Sequence, residues 1–220
     1  MKLRTVFFLF AIFISSALSW GQSWNLTQTM TATLDGNGLL TISTANPGGE
    51  AMPDYNPYDA PWYPVCSSIF SVVIGDNVTS IGSYAFLNCS NLTSATISNT
   101  VTVIGINAFY LCSKLSSFII PNSVTTIKGG AFIGCRSLTS ILIPKSVTNI
   151  EVYAFMDCSG LKDVTVEWNT AASIPSLPYT EDLYATMTAF GNLPLSATCP
   201  CRHKSALSGS RCLERFRDNR

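Results

Sequence analysis

The chain has 220 residues, 47% of them hydrophobic and only 12% charged, which is ample for a sizeable core and too apolar for disorder throughout. Thirteen basic and thirteen acidic side chains balance one another, so the whole molecule offers no basic field for nucleic acid. A single histidine, His203, leaves almost no room for histidine-based acid, base or zinc chemistry.

The balance conceals an uneven distribution. Residues 199–220 hold six basic groups against two acids, whereas residues 20–198 carry five against eleven. At the N-terminus, Lys2 and Arg4 precede a nine-residue apolar run from Val6 to Ile14, followed by small residues that include Ser19 and Gly21. That order of charged, apolar and small residues predicts a secretory signal peptide over residues 1–21. The run is too short to cross about 30 Å of hydrocarbon. The expectation is a secreted or cell-surface protein with no membrane span after cleavage.

Residues 30–44 alternate in polarity around Asp35-Gly36-Asn37-Gly38, a hairpin signal. Residues 46–64, rich in Pro, Gly, Asp, Asn and Tyr, are expected to form an irregular loop laid over the first coil of the next region. Together these assign residues 22–65 to an N-terminal cap with a hairpin and a loop.

A 23-residue period then takes over. It relates Val78, Val101, Val124 and Val147, then Ile81, Ile104, Ile127 and Ile150, then Phe86, Phe109, Phe132 and Phe155, then Leu92, Leu115, Leu138 and Leu161, and the five cysteines Cys66, Cys89, Cys112, Cys135 and Cys158. Short alternating stretches such as Ser117 to Ile120, stopped by Pro121, read as strands. They fall at 71–74, 94–97, 117–120, 140–143 and 163–166. The stretch around Ala-Phe-x-x-Cys suits one helical or 3₁₀ turn. A unit this small cannot bury its own apolar face, so coils must stack with like strands in parallel about 4.8 Å apart.

The unit Ile120-Pro121-Asn122-Ser123-Val124-Thr125-Thr126-Ile127, completed by Ala131-Phe132, Cys135 and Leu138, resembles the BspA-like class of leucine-rich repeats. The resemblance covers about residues 66–166 of a repeat region assigned to residues 66–168, with Ser98 where proline is usual and Lys128 and Glu151 where glycine is usual. It implies a β-rich leucine-rich-repeat solenoid of 23-residue coils with a parallel sheet, found in exported and surface proteins, and a role in adhesion. After the last repeat Pro175, Pro178 and Pro194 interrupt any regular pattern, so residues 169–198 are read as an irregular C-terminal cap. Beyond Ala197-Thr198, family members continue with a segment like L-Y-V-P-A-G-T-K-A-L-Y. This chain instead gives Cys199-Pro200-Cys201-Arg202, and codons can be chosen that restore V-P-A-G-T-K-A-L-Y in the next frame. Residues 199–220 are therefore read as a frameshifted, disordered tail.

The cysteine column is read as structural. Adjacent coils bring the α-carbons close enough for disulfides, but parallel side chains give a poor dihedral, and small, reduced, buried side chains are expected instead. Cys199, Cys201, His203 and Cys212 have the ligand types of a zinc site in an unusual spacing with nothing foldable around it. Asp157, Asp163, Glu167, Glu181 and Asp182 form no spaced pair of catalytic type and read as surface charges. No cofactor, metal or catalytic residue is assigned.

What remains is the outward face of the sheet. Val73, Thr96, Ile119, Leu142 and Thr165 form one outward column beside Ser71, Ser94, Ser117, Ser140 and Asp163, a stripe more apolar than a solvated sheet requires. It is the candidate contact surface of a monomeric, non-enzymatic binding module for an extracellular protein or glycan. The alternative is a structural repeat with no specific ligand.

Overall fold

A computed structural model describes residues 21–167. Most of the leader, the proposed C-terminal cap and the tail lie outside the described residues, and with them Glu181, Asp182 and the Cys199, Cys201, His203, Cys212 cluster.

The chain enters through β1 (Gln22–Asn25), antiparallel to β2 (Met30–Leu34), which pairs antiparallel with β3 (Leu39–Thr44). The tight connection between β2 and β3 is held by Asp35, whose Oδ1 accepts the N–H groups of Asn37 and Leu39, each at 2.8 Å. Gly38 supplies the left-handed backbone there, at φ +80°. The hairpin was legible in the sequence, whereas β1 was not. The segment after β3 is less irregular than its composition predicts. It contributes β4 (Glu50–Ala51), and its end winds into a 3₁₀ helix, Tyr63–Ser68.

From there the chain coils. One face of the stack is built from β5 (Ser71–Ile74), β7 (Ser94–Ile97), β9 (Ser117–Phe118), β11 (Ser140–Ile143) and β13 (Asp163–Val166). A second face is built from the shorter β6 (Val78–Ile81), β8 (Val103–Ile104), β10 (Thr126–Ile127) and β12 (Asn149–Ile150), joined by β4. The pairings within each coil stack are parallel and keep the 23-residue register, as in Val72↔Ala95 and Ile81↔Ile104. The hairpin continues the first sheet, because β3 pairs parallel with β5. The fold is thus the parallel-sheet solenoid that the period predicts.

The strand expected at 117–120 is shortened to Ser117–Phe118, and the first sheet divides after β9, leaving β11 and β13 as a separate pair. Proline chemistry accounts for this. Elsewhere the residue after the strand donates back one coil, Ser98 to the Ile74 carbonyl at 3.0 Å and Glu167 to that of Ile143 at 3.0 Å. Pro121 and Pro144 occupy the same place and have no N–H to give.

The third face also departs from expectation. No helical turn forms around Ala-Phe-x-x-Cys, because two residues per coil sit in the left-handed region: Tyr84, Asn107, Gly130 and Tyr153 in one column, and Asn88, Leu111, Gly134 and Asp157 in the other. Successive N–H groups therefore alternate in direction. Ala85, Leu87 and Cys89 bond three residues back within the coil, while Tyr84, Phe86 and Asn88 bond the carbonyls of Ile106, Ala108 and Tyr110 in the next coil. Enclosed by the three faces, the valine, isoleucine, phenylalanine and leucine columns are all buried. Each large side chain contributes roughly 1.5–3 kcal/mol, most of it offset by chain ordering.

Candidate binding face

The period-2 alternation of the strands sends Val72, Ile74, Phe118, Ile141, Ile143, Val164 and Val166 inward and leaves the intervening residues outside. Of the outward column, Ile119 is 80% exposed and Leu142 44%. Thr96 is exposed, and Val73 and Thr165 are half-buried. Val73 stands directly opposite Thr96, and Leu142 opposite Thr165. Ser117, Ser140 and Asp163 in the neighbouring column are exposed, and Ser71 and Ser94 half-buried. The break in the sheet falls between the two most apolar members, because Ile119 lies just beyond the end of β9.

Sequence reasoning stopped this surface at the first repeat, whereas strand register extends it onto the cap. Thr41 pairs with Val73, and Thr33 with Thr41, so the column runs on as threonines. Nearby, the hydroxyls of Thr31 and Ser43 share a hydrogen bond at 3.2 Å. No period could have found Thr33 and Thr41, since the hairpin lies outside the repeat.

The cysteine column lines the interior of the coils. Cys89, Cys112, Cys135 and Cys158 are buried, Cys66 is half-buried, and all five are free thiols. Three thiols donate to the phenylalanine carbonyl of the preceding coil: Cys112 to Phe86 at 3.1 Å, Cys135 to Phe109 at 3.3 Å and Cys158 to Phe132 at 3.1 Å. Burial pushes the Cys112 thiol well above its ordinary value. Cys135 is raised by its hydrogen-bonding contact with Cys158 and then by burial.

The carboxylates with shifted values serve the cap. The Leu39 amide holds Asp35 low, the hydroxyls of Thr27, Thr29 and Thr44 hold Glu50 low, and the Ser83 amide, 2.6 Å away, holds Asp54 low. Asp157, Asp163 and Glu167 are exposed. Among the described residues no three histidine, cysteine or acidic side chains gather as a metal site, and no helix is long and apolar enough to cross a membrane.

No curated protein matches the chain. Among solved structures, it is similar to a leucine-rich repeat protein from Eubacterium ventriosum, with 31% identity and a TM-score of 0.57 over 68% of this chain and 45% of that one. It is also similar to a leucine rich cell surface protein from Faecalibacterium prausnitzii, with 26% identity and a TM-score of 0.49 over 70% of this chain and 43% of that one. The chain spans less than half the length of either. The description of a BspA type leucine rich repeat region fits residues 62–176 in 6 copies, more than half of the sequence. With that match and the coil geometry above, the chain belongs to the BspA-type leucine-rich repeat proteins, whose repeats generally serve as protein-interaction scaffolds.

Proposed function

We propose that the protein is an exported, non-enzymatic binding module that contacts an extracellular protein through the outward column Val73, Thr96, Ile119, Leu142 and Thr165, in an adhesive role at the cell surface. One observation carries this reading. Ile119 is exposed to 80% while its neighbours in the chain, Phe118 and Ile120, are buried. A β-branched aliphatic set between two buried neighbours loses little further freedom when covered and returns apolar burial to an interface. Around it, hydroxyls from serine and threonine supply hydrogen bonds without charge to desolvate. Export is supported by the order of Lys2, Arg4, the apolar run and the small residues around Ser19 and Gly21.

The experiment is a pull-down of the full chain against extracellular matrix proteins, run beside a glycan array, with Ile119→Asp and Leu142→Asp as variants. Both substitutions fall at exposed positions and leave the core intact. Capture of a protein ligand by the wild type, weakened at least about tenfold in Ile119→Asp, is the expected result for a buried anchor. Glycan binding alone, or protein capture unchanged in both variants, would overturn the assignment of this face.

A further inference from the structure

The loop between β4 and the 3₁₀ helix Tyr63–Ser68 carries a ring that folding alone does not account for. Asn56-Pro57-Tyr58-Asp59 closes a turn in which the Asp59 amide donates to the Asn56 carbonyl at 3.1 Å. Proline in second place and a positive φ in third are the marks of a type II turn, whose third place glycine fills without strain. Tyr58 stands there instead, at φ +73°, a left-handed conformation that costs a bulky residue stability. Burial recovers little of that cost, because the side chain is 61% exposed. The ring is nonetheless held in place. It meets that of Tyr63 edge-on, with centroids 5.1 Å apart and planes at 60°. One residue on in the chain, Asp59 is exposed, and its Oδ2 accepts the Asn56 side-chain amide at 3.1 Å.

The charge around this platform has one sign. From Gly21 to Ser113 the sequence holds five acidic residues, Asp35, Glu50, Asp54, Asp59 and Asp76, and no lysine or arginine. Residues 114–167 hold five basic against four acidic. Asp54 is lowered in part by Lys128 and is not counted in the platform. The Tyr55 amide donates to the Ser83 carbonyl and Asp54 accepts the Ser83 amide. The loop therefore continues the turn face at the N-terminal end of the stack, and the platform draws on none of the outward column of the first sheet.

We propose that Tyr58, Tyr63 and Asp59 form a second contact site, which takes an arginine-bearing segment of a partner protein. A guanidinium is planar, so it stacks on an aromatic face by cation–π attraction while its N–H groups donate to a neighbouring carboxylate. Acids with no interspersed base steer such a segment toward the cap. Lysine satisfies the charge without the stacking. A neutral sugar fits the ring and gains nothing from the charge.

The test is fluorescence anisotropy of the full chain with a labelled peptide alternating arginine and glycine, set beside lysine and citrulline versions at low and high salt. The arginine peptide is expected to bind at least about threefold tighter than the lysine peptide and to weaken as salt rises. Citrulline, which keeps the shape without the charge, should give no detectable binding. Tyr58→Gly should weaken the arginine peptide about fivefold while thermal stability is kept or raised, since glycine suits the left-handed backbone. Asp59→Asn, which can still accept from Asn56, should also weaken it about fivefold. Asp76→Asn removes an exposed acid outside the platform and should change binding by less than about twofold. Equal binding of the arginine and citrulline peptides would overturn the proposal, and equal losses in Asp59→Asn and Asp76→Asn would reduce it to diffuse charge attraction and overturn it too. So would binding of neutral oligosaccharides in place of the peptide, or self-association of the chain that Tyr58→Gly abolishes. If Tyr58→Gly fails to fold, the peptide series and the comparison of Asp59→Asn with Asp76→Asn still decide it.

Discussion

The indole of Trp62 stacks on the ring of Phe86 with centroids 5.8 Å apart and planes at 24°, although Trp62 lies one residue out of step with the repeat. The phenylalanine column continues below it, with Phe86, Phe109, Phe132 and Phe155 stacked at 5.1, 5.4 and 5.1 Å. Trp62 is therefore the end of that stack supplied by the cap, and its Nε1 also donates to the Ala85 carbonyl at 2.7 Å. Tyr55 and Trp24 meet it edge-on, at 5.7 and 6.2 Å.

If the cap is fastened through this ring, Trp62→Ala should cost about 3–5 kcal/mol by urea denaturation. Trp62→Phe restores a ring and loses the N–H, leaving the Ala85 carbonyl without that donor at about 1–3 kcal/mol. Equal costs for the two variants would show that the hydrogen bond, and not the stack, holds the cap.

Phe109 packs between Phe86 and Phe132 and takes the edge of Phe118 at 5.1 Å. Phe109→Ala should cost about 3–5 kcal/mol, because rigid stacked neighbours cannot collapse into the space. A loss below about 1 kcal/mol in denaturant melting would contradict a buried ring at this position.

Adjacent glycines should respond in opposite ways to one methyl group. Gly130 has φ +65°, and an added Cβ would collide with Asn107 Oδ1, whereas a Cβ on Gly129 would meet only ordinary contacts at 3.5 Å. Gly130→Ala should cost about 2 kcal/mol or more, and Gly129→Ala should stay within about 0.5 kcal/mol of the parent. Thermal melting of both variants checks the left-handed column directly.

Stability should fall at both extremes of pH, for different parts of the molecule. Asp35, Glu50 and Asp54 are held low in the folded state, so their contribution is present above their ordinary values of 3.8 to 4.5 and is lost as pH falls below them. Cys112 is held high by burial, so its contribution is complete below its ordinary value of 9.0 and is lost as pH rises past it. Urea midpoints measured against pH should therefore show an acid limb that flattens in Glu50→Gln and an alkaline limb that flattens in Cys112→Ala. A limb unchanged by its variant would reassign that titration.

The sequence made the strands at 71–74, 94–97, 140–143 and 163–166 readable because their alternation and the 23-residue period reinforce each other. The second sheet was hidden, since runs such as Val103–Ile104 are too short to alternate. The left-handed columns were hidden for another reason. Tyr, Asn and Gly share one column, and Asn, Leu, Gly and Asp the other, so no residue type marks a conformation that the stack imposes. Trp62 escaped notice because it breaks the period at the point where the cap replaces the repeat. On the candidate face, Ile119 and Leu142 were visible from parity, whereas Thr33 and Thr41 required the register of a hairpin.

The bonds between turns of neighbouring coils have an electrical consequence. The Phe86 amide donates to the Ala108 carbonyl, the next peptide's N–H, on Phe109, donates to Ala131, and that of Phe132 donates to Ala154. Two parallel lines run through Tyr84, Asn107 and Gly130 and through Asn88, Leu111 and Gly134. Peptide groups aligned head to tail add their dipoles, as they do along an α-helix, and chains of such bonds polarise one another. On the second face a line of the opposite sense runs from Glu151 to the Ile127 carbonyl, from Lys128 to that of Ile104 and from Gly105 to that of Ile81, so the two faces carry opposed dipoles. At the N-terminal cap the outermost carbonyls of the turn face, Ser83 and Ala85, are met by the Tyr55 amide and the Trp62 indole N–H.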